Sequence, residues 1–239
     1  MYFKEVTSYL VADAYFSKKK VVDTALSLGM NFISRLRDDA VLQYIYRGKP
    51  TGKKGRPKKF DGKVNPCELN MDYFSEIIST DELRVYSAIV YSKAFEREIN
   101  LAVAVFYKNG KEVARKLYFS TDLEMSAEKI VNYYRSRFQI EFLYRDAKQY
   151  CGLTNCQARS ENKLNFHFNA ALTAVNLAKI EWLNTKNKPD EQFSMSDYKT
   201  MYNNELLLKQ FIRVFGINPN SKKNKKNIAE LRNWGKITA

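Results

Sequence analysis

The chain opens on a short apolar run, SYLVAD (8–13), which reads as a buried strand ending on an acid. SKKKVVDTALSLG follows and reads as a helix, with Ser17 placed to cap its start and Gly29 to end it. MNFISRLR then returns to strand character, so the first 37 residues predict a β–α–β unit with a parallel crossover.

The rhythm changes after residue 38. LRVYSAIVY (83–91) and INLAVAVFY (99–107) are long strand signals. Asn109-Gly110 suits the positive φ angles of a type I′ turn and predicts a hairpin into the return strand VARKLYFST. This antiparallel block differs from the first unit, and we expect it to fold as an insertion beside the sheet that carries SYLVAD. After Asp122 the pattern is helical. Residues 125–152 read as one long helix ending near Gly152, and NFHFNAALTAVNLAKIEWL as a second. The tail reads as two short helices around a solvated run, KKNKK. No internal repeat is visible.

Charge sharpens the picture. The 239 residues carry 40 Lys+Arg against 26 Asp+Glu, a formal net charge of +14, which points to a polyanionic partner, nucleic acid first. At 45% hydrophobic and 14% aromatic residues the chain has enough apolar surface to exclude wholesale disorder. The basic excess peaks in RGKPTGKKGRPKKFDGK (47–63), with eight Lys/Arg, one Asp, two prolines and four glycines. That composition predicts an exposed loop or a mobile hairpin. Its Lys53, Lys54, Arg56, Lys58 and Lys59 are candidate contacts to a DNA backbone, and the alternative is a merely solubilising loop.

No stretch approaches the roughly 20 apolar residues of a membrane-spanning helix, and the N-terminus lacks a secretory pattern. Three cysteines, Cys67, Cys151 and Cys156, make no disulfide framework and fit a reducing compartment. Cys151-x4-Cys156 has no second pair to build a zinc site. With one histidine, any metal would be held mainly by carboxylates.

Taken as one continuous helix, Tyr134, Arg137, Glu141 and Lys148 fall within a sector of about 60° and along about 21 Å of axis. Ile140, Leu143 and Ala147 form the neighbouring core stripe. An acid flanked by two bases and a phenol suits joint binding of a hard cation and a phosphate backbone. A surface helix with ordinary charge pairs, Glu141–Arg145 among them, would show the same spacing.

Tyr134-x2-Arg137-x3-Glu141-x6-Lys148 resembles the Y-R-E-K signature of bacterial insertion-sequence transposases of family four, members of the DDE transposase group. VADAYFSK resembles the segment carrying that family's second catalytic aspartate and maps it onto Asp13. The resemblance implies an α/β fold: a ribonuclease-H-like core (1–37 and 117–183) interrupted by a β-rich insertion with a basic loop (38–116), and a helical C-terminal tail (184–239). It implies metal-dependent cleavage of double-stranded DNA at transposon ends and strand transfer to target DNA, with Mg2+ or Mn2+ held by Asp13 and Glu141. Tyr134, Arg137 and Lys148 would position the backbone. It further implies a cytoplasmic, nucleoid-associated protein, pairing of copies in a synaptic complex and no membrane role. The family's first aspartate lies on the first strand of the core. Only twelve residues precede Asp13 here, with Glu5 as their sole acid. The expectation is therefore a transposase whose front is lost or separately encoded, and the rival is an inert DNA-binding remnant or regulator.

Other polar residues have plainer readings. Asp122 reads as a cap or turn residue, Asp146 as solvated, and His167 as a satisfied core histidine. Arg35 and Arg37 share a strand face, toward DNA or toward solvent.

Overall fold

The computed structural model describes residues 5–49, 57–186 and 192–237, in two compact units, Met1–Phe138 and Gln139–Ala239.

The first unit is built on one sheet. Its strands are β1 (Tyr9–Val11), β2 (Asn31–Arg35), β3 (Leu42–Ile45), β4 (Phe60–Lys63), β5 (Ser75–Ser79), β6 (Leu83–Ser92), β7 (Arg97–Lys108) and β8 (Lys111–Ser120). They lie in the order β1-β2-β8-β7-β6-β3-β4, with β5 on β6. Among the described residues only β1 and β2 pair in parallel, joined by α1 (Lys19–Ser27), so the predicted crossover is present. Gly29, at φ 72°, ends that helix in the left-handed region that glycine enters without strain. Ser17 does not cap it. The N-cap position is Lys18, and the Ser17 hydroxyl is used elsewhere.

The expected separation of an antiparallel block from the SYLVAD sheet is not met. β8 joins β2 through Ile33↔Ser120, Ser34↔Phe119 and Arg35↔Tyr118 while pairing β7 along its other edge. One continuous sheet results. The reason lies in β7, whose residues 99–105 are all buried. A strand covered on both faces reads as an unbroken apolar run, and its faces need cover from both α-helical layers. Val22 and Ala25 of α1 pack on one face, against a core that includes Phe32, Leu101, Val103 and Phe119. Ala127, Ile130 and Val131 of α2 (Ala127–Arg135) pack on the other, with Ile33, Ala102, Ala104 and Tyr118. The hairpin is as predicted: Asn109 and Gly110 have φ of 52° and 73° between β7 and β8. The end of the basic run forms β4, which pairs with β3 at the sheet edge, while Lys53, Lys54 and Arg56 lie outside the described residues.

The expected long helix is broken. Ser126 caps α2 by accepting from Lys129 N–H (3.4 Å), but the helix ends at Arg135 and a 3-10 turn spans Ser136–Phe138. Ser136 Oγ donates to the Asn132 carbonyl (3.1 Å), a side-chain bond that competes with the helical ladder and bends helices. The second unit begins just after this turn, with α3 (Gln139–Tyr150), followed by α4 (Glu161–Thr185), α5 (Met195–Val214) and α6 (Lys222–Arg232). Its core joins Ala147, Leu153, Ala171, Val175, Ala178 and Met195. The tail departs from expectation twice: α5 has 20 residues, and KKNKK lies inside α6 rather than between helices.

Candidate nucleic-acid and carboxylate site

Asp13 is held by the strand before it. Ala12 N–H donates to Ile33 O (3.0 Å), and the Ala12 carbonyl accepts from Ser34 Oγ (2.8 Å). Ser34 is fully buried. Ser17 Oγ lies 2.8 Å from Ser34 Oγ and 2.9 Å from the Arg35 carbonyl, closing a small polar bridge between β2 and the segment after β1. The backbone entering Asp13 is thus bonded on both its donor and its acceptor side. The sequence gives no sign of this bridge, because it depends on pairing across 17 to 22 residues.

Asp13 then caps the 3-10 turn Ala14–Phe16, its Oδ1 accepting from Tyr15 N–H (3.0 Å). Its Oδ2 faces Arg137 Nη1 at 3.7 Å. The Arg137 side chain is mostly buried, at 17% exposure, against 46% for Asp13. The guanidinium lies 4.8 Å from the Phe138 ring centre and 6.0 Å from that of Tyr134. Tyr134 packs on Tyr118 of β8, with ring centres 4.9 Å apart. Burial pushes the Tyr134 phenol above its ordinary pKa, and the Asp13 carboxylate adds to the rise while Arg137 and Arg35 oppose it. The Tyr118 phenol is also raised, again chiefly by burial. Arg35, opposite Tyr118 in the β2–β8 register, buries its Nε, which has no hydrogen-bond partner among the described residues.

The first unit therefore brings Asp13, Tyr134 and Arg137 together, and adds Tyr118, which the sequence did not suggest. The cross-strand register was the missing signal. Glu141 and Lys148 belong to the second unit. They lie two turns apart on α3, so they share a face, and both are exposed. The 60° sector assumed an unbroken helix and does not carry across the 3-10 turn. Within α3, Ala147 is buried and Leu143 half-buried, as the core stripe requires, but Ile140 is 52% exposed. Asp146 is not solvated: it is 4% exposed and accepts from Arg145 Nε (3.0 Å) and Nη2 (2.9 Å). Asp122 is a turn residue, accepting from Glu124 N–H (3.0 Å) and from the Tyr9 hydroxyl (2.7 Å). His167 is half-buried, with Nε2 3.0 Å from the Gly152 carbonyl.

In the basic hairpin, Lys58 Nζ donates to Asp61 (2.5 Å) and sits 4.8 Å from the Tyr46 ring centre, while Lys59 is exposed. The Asp61 hydrogen bond raises the Lys58 pKa and, with that of the Tyr73 hydroxyl, lowers the Asp61 pKa.

A family model described as "Transposase DDE domain" matches residues 3–177. The chain belongs to this transposase family. A search of curated proteins finds no match. The mixed α/β architecture fits a DDE domain, and Asp13, Tyr134, Arg137, Glu141 and Lys148 all lie inside the matched region.

DDE transposases depend in general on divalent metal, so the donor set of this DDE domain can be tested against such an ion. The chemistry suits it, since a half-exposed carboxylate is a proper ligand for a hard cation. The number of donors does not: among the described residues no group of three or more His, Cys, Asp or Glu is placed to hold a metal. Asp13 already accepts from a backbone N–H and faces a guanidinium. The described residues of this DDE domain do not by themselves make a complete divalent-cation site. No described helix is long and apolar enough to cross a membrane.

Proposed function

We propose that the chain carries part of the machinery of a DNA transposase of the insertion-sequence type with the Tyr-Arg-Glu-Lys signature, an enzyme that acts on double-stranded DNA by phosphodiester cleavage and strand transfer. The observation that carries this reading is the contact of Asp13 with Arg137 beside Tyr134, inside the DDE match. Arg137, mostly buried and braced on Phe138, presents a fixed cation that can exchange its long contact with Asp13 for a phosphate oxygen. Tyr134, its phenol neutral at physiological pH as any tyrosine's is, donates its phenolic hydrogen to the same backbone. Lys148 extends the basic contact, and Lys53, Lys54, Arg56, Lys58 and Lys59 add sequence-independent attraction to the duplex. Two copies would pair in a synaptic complex at the nucleoid.

Mg2+, with Mn2+ as substitute, is the proposed cofactor, and Asp13 and Glu141 are its proposed ligands on this chain. A two-ion site stabilises both the attacking and the leaving oxygen, which takes more carboxylates than these two. The chain by itself is therefore expected to bind duplex DNA and not to cut it.

The test is nicking of supercoiled DNA with Mg2+ or Mn2+, run beside a gel-shift with the same DNA, for the unaltered chain and for Asp13→Ala and Glu141→Ala. Binding without cleavage is expected. Robust cleavage abolished by both substitutions would establish these ligands and overturn the incomplete site. Absence of DNA binding would overturn the transposase reading for this polypeptide.

A further inference from the structure

The second unit carries an apolar groove that the DNA chemistry does not use. It runs between α5 and α6, with a volume of about 580 Å3, lined by Leu207, Leu208, Phe211, Ile217, Ile228 and Leu231. Leu207 is 60% exposed, and Phe211 and Leu231 about half. Isolated exposed apolar side chains are ordinary, but a contiguous cleft of them marks a binding surface.

The groove is preformed. Asn204 Nδ2 on α5 donates to the carbonyls of Arg232 (3.3 Å) and Trp234 (2.8 Å), at and just beyond the end of α6. Arg232 ties α6 to Glu205 on α5 and Glu181 on α4, each at 3.2 Å. These bonds fix the helix pair at one end, so an occupant does not have to order it.

Charge selects the occupant. From 206 to 236 the sequence has eight Lys/Arg and a single acid, Glu230. Lys209 is paired with Glu205 and Lys226 stands 3.9 Å from Glu230, but Lys222, Lys223 and Lys225 make no ion pair among the described residues. On α6, Lys223 and Lys225 flank the lining stripe Asn224, Asn227, Ile228 and Leu231, each about 100° from its centre. A second copy would bring a like-charged rim against this one. A nucleic-acid backbone would leave the aliphatic lining unmatched. We propose that the groove takes an acidic amphipathic helix of a partner protein, with apolar side chains at i, i+3, i+4 and i+7 in the cleft and carboxylates over the α6 lysines.

The test uses a fluorescent synthetic helix of about 18 residues, long enough for four apolar anchors over two turns and more. It carries leucines on one face and glutamates on the other, and a twin carries the same leucines with lysines. Anisotropy titration with the full chain should show saturable binding of the acidic peptide, and at least about tenfold weaker binding of the basic twin. The double variant Lys223→Glu, Lys225→Glu should reverse that preference, an outcome that loss of folding cannot mimic. Leu231→Asp should abolish binding of both. Equal affinity for the two peptides, or no binding, would overturn the proposal. So would displacement of the acidic peptide by a stoichiometric duplex oligonucleotide, or a dimer in sedimentation that Leu231→Asp dissolves.

Discussion

Arg137 reaches Asp13 at 3.7 Å while its guanidinium rests on Phe138 at 4.8 Å, so one side chain links the 3-10 turn after α2 to the end of β1. The approach to Asp13 is long and half-open to water, and an ion pair of that kind stabilises by less than about 1 kcal/mol. Its interest is electrostatic: it sets a cation beside a carboxylate.

That relationship predicts unequal effects on stability and on binding. Arg137→Ala should lower stability by about 1–2 kcal/mol, largely because the packing of its stem is removed, and Arg137→Lys by less. Both should weaken duplex binding, with lysine a poor substitute because it lacks the planar fork that holds phosphate. Urea midpoints at constant m-value and fluorescence titration with a short duplex measure the two effects.

The two acids of α3 should separate function from structure. Asp146 is 4% exposed and doubly bonded to Arg145, so Asp146→Ala should cost about 1–3 kcal/mol. Glu141 is exposed, and Glu141→Ala should change stability by less than about 1 kcal/mol. Thermal unfolding of the two variants in parallel checks the order. A larger loss for Glu141→Ala would make that residue a structural one.

Salt dependence tests the basic hairpin. Removing one lysine–phosphate pairing should reduce the log–log salt slope by roughly 0.9, so neutralising Lys53, Lys54, Lys58 and Lys59 together should reduce it by up to about 3.6. Lys58 should contribute least when neutralised singly, because it must first leave Asp61. A slope unchanged in the quadruple variant would mark the segment as a solubilising loop.

Alkaline stability should depend on Tyr202. Burial, together with its hydrogen bond to Glu181, pushes this phenol up to about 12. An unfolded tyrosine loses its proton near about 10. The folded state holds the proton more tightly, so this stabilisation is complete below about pH 10 and is lost as pH rises from there toward about 12. Tyr202→Phe should be less stable at neutral pH, because it cannot make the bond to Glu181, and its melting temperature should fall less steeply across that alkaline window. Melting curves over the same range for both proteins give the comparison.

Gly110, at φ 73° in the β7–β8 turn, has open space around it, so only the backbone opposes a side chain there. Gly110→Ala should therefore cost about 1 kcal/mol. A neutral result in urea unfolding would show that the turn relaxes to another type.

What the sequence determined by itself is what short stretches of chain decide. The strand–helix–strand run of the first 37 residues, the stop at Gly29 and the Asn109-Gly110 hairpin follow from backbone preferences and bonds within a few residues. Asp13 was legible too, because an acid closing a short apolar run lands just past a strand wherever that strand pairs. Tertiary structure decided the rest. β8 bridges β2 to β7 and turns an expected insertion into one sheet, since strand partners are chosen by burial of both faces of β7, which no local pattern records. Tyr118 reaches Tyr134 only through that register. Asp146 is buried because a neighbouring guanidinium satisfies it, and burial is set by what packs above a residue rather than by its polarity. The helix expected over 125–152 instead ends at Arg135 and resumes at Gln139 after a 3-10 turn, where the Ser136 hydroxyl bonds the Asn132 carbonyl.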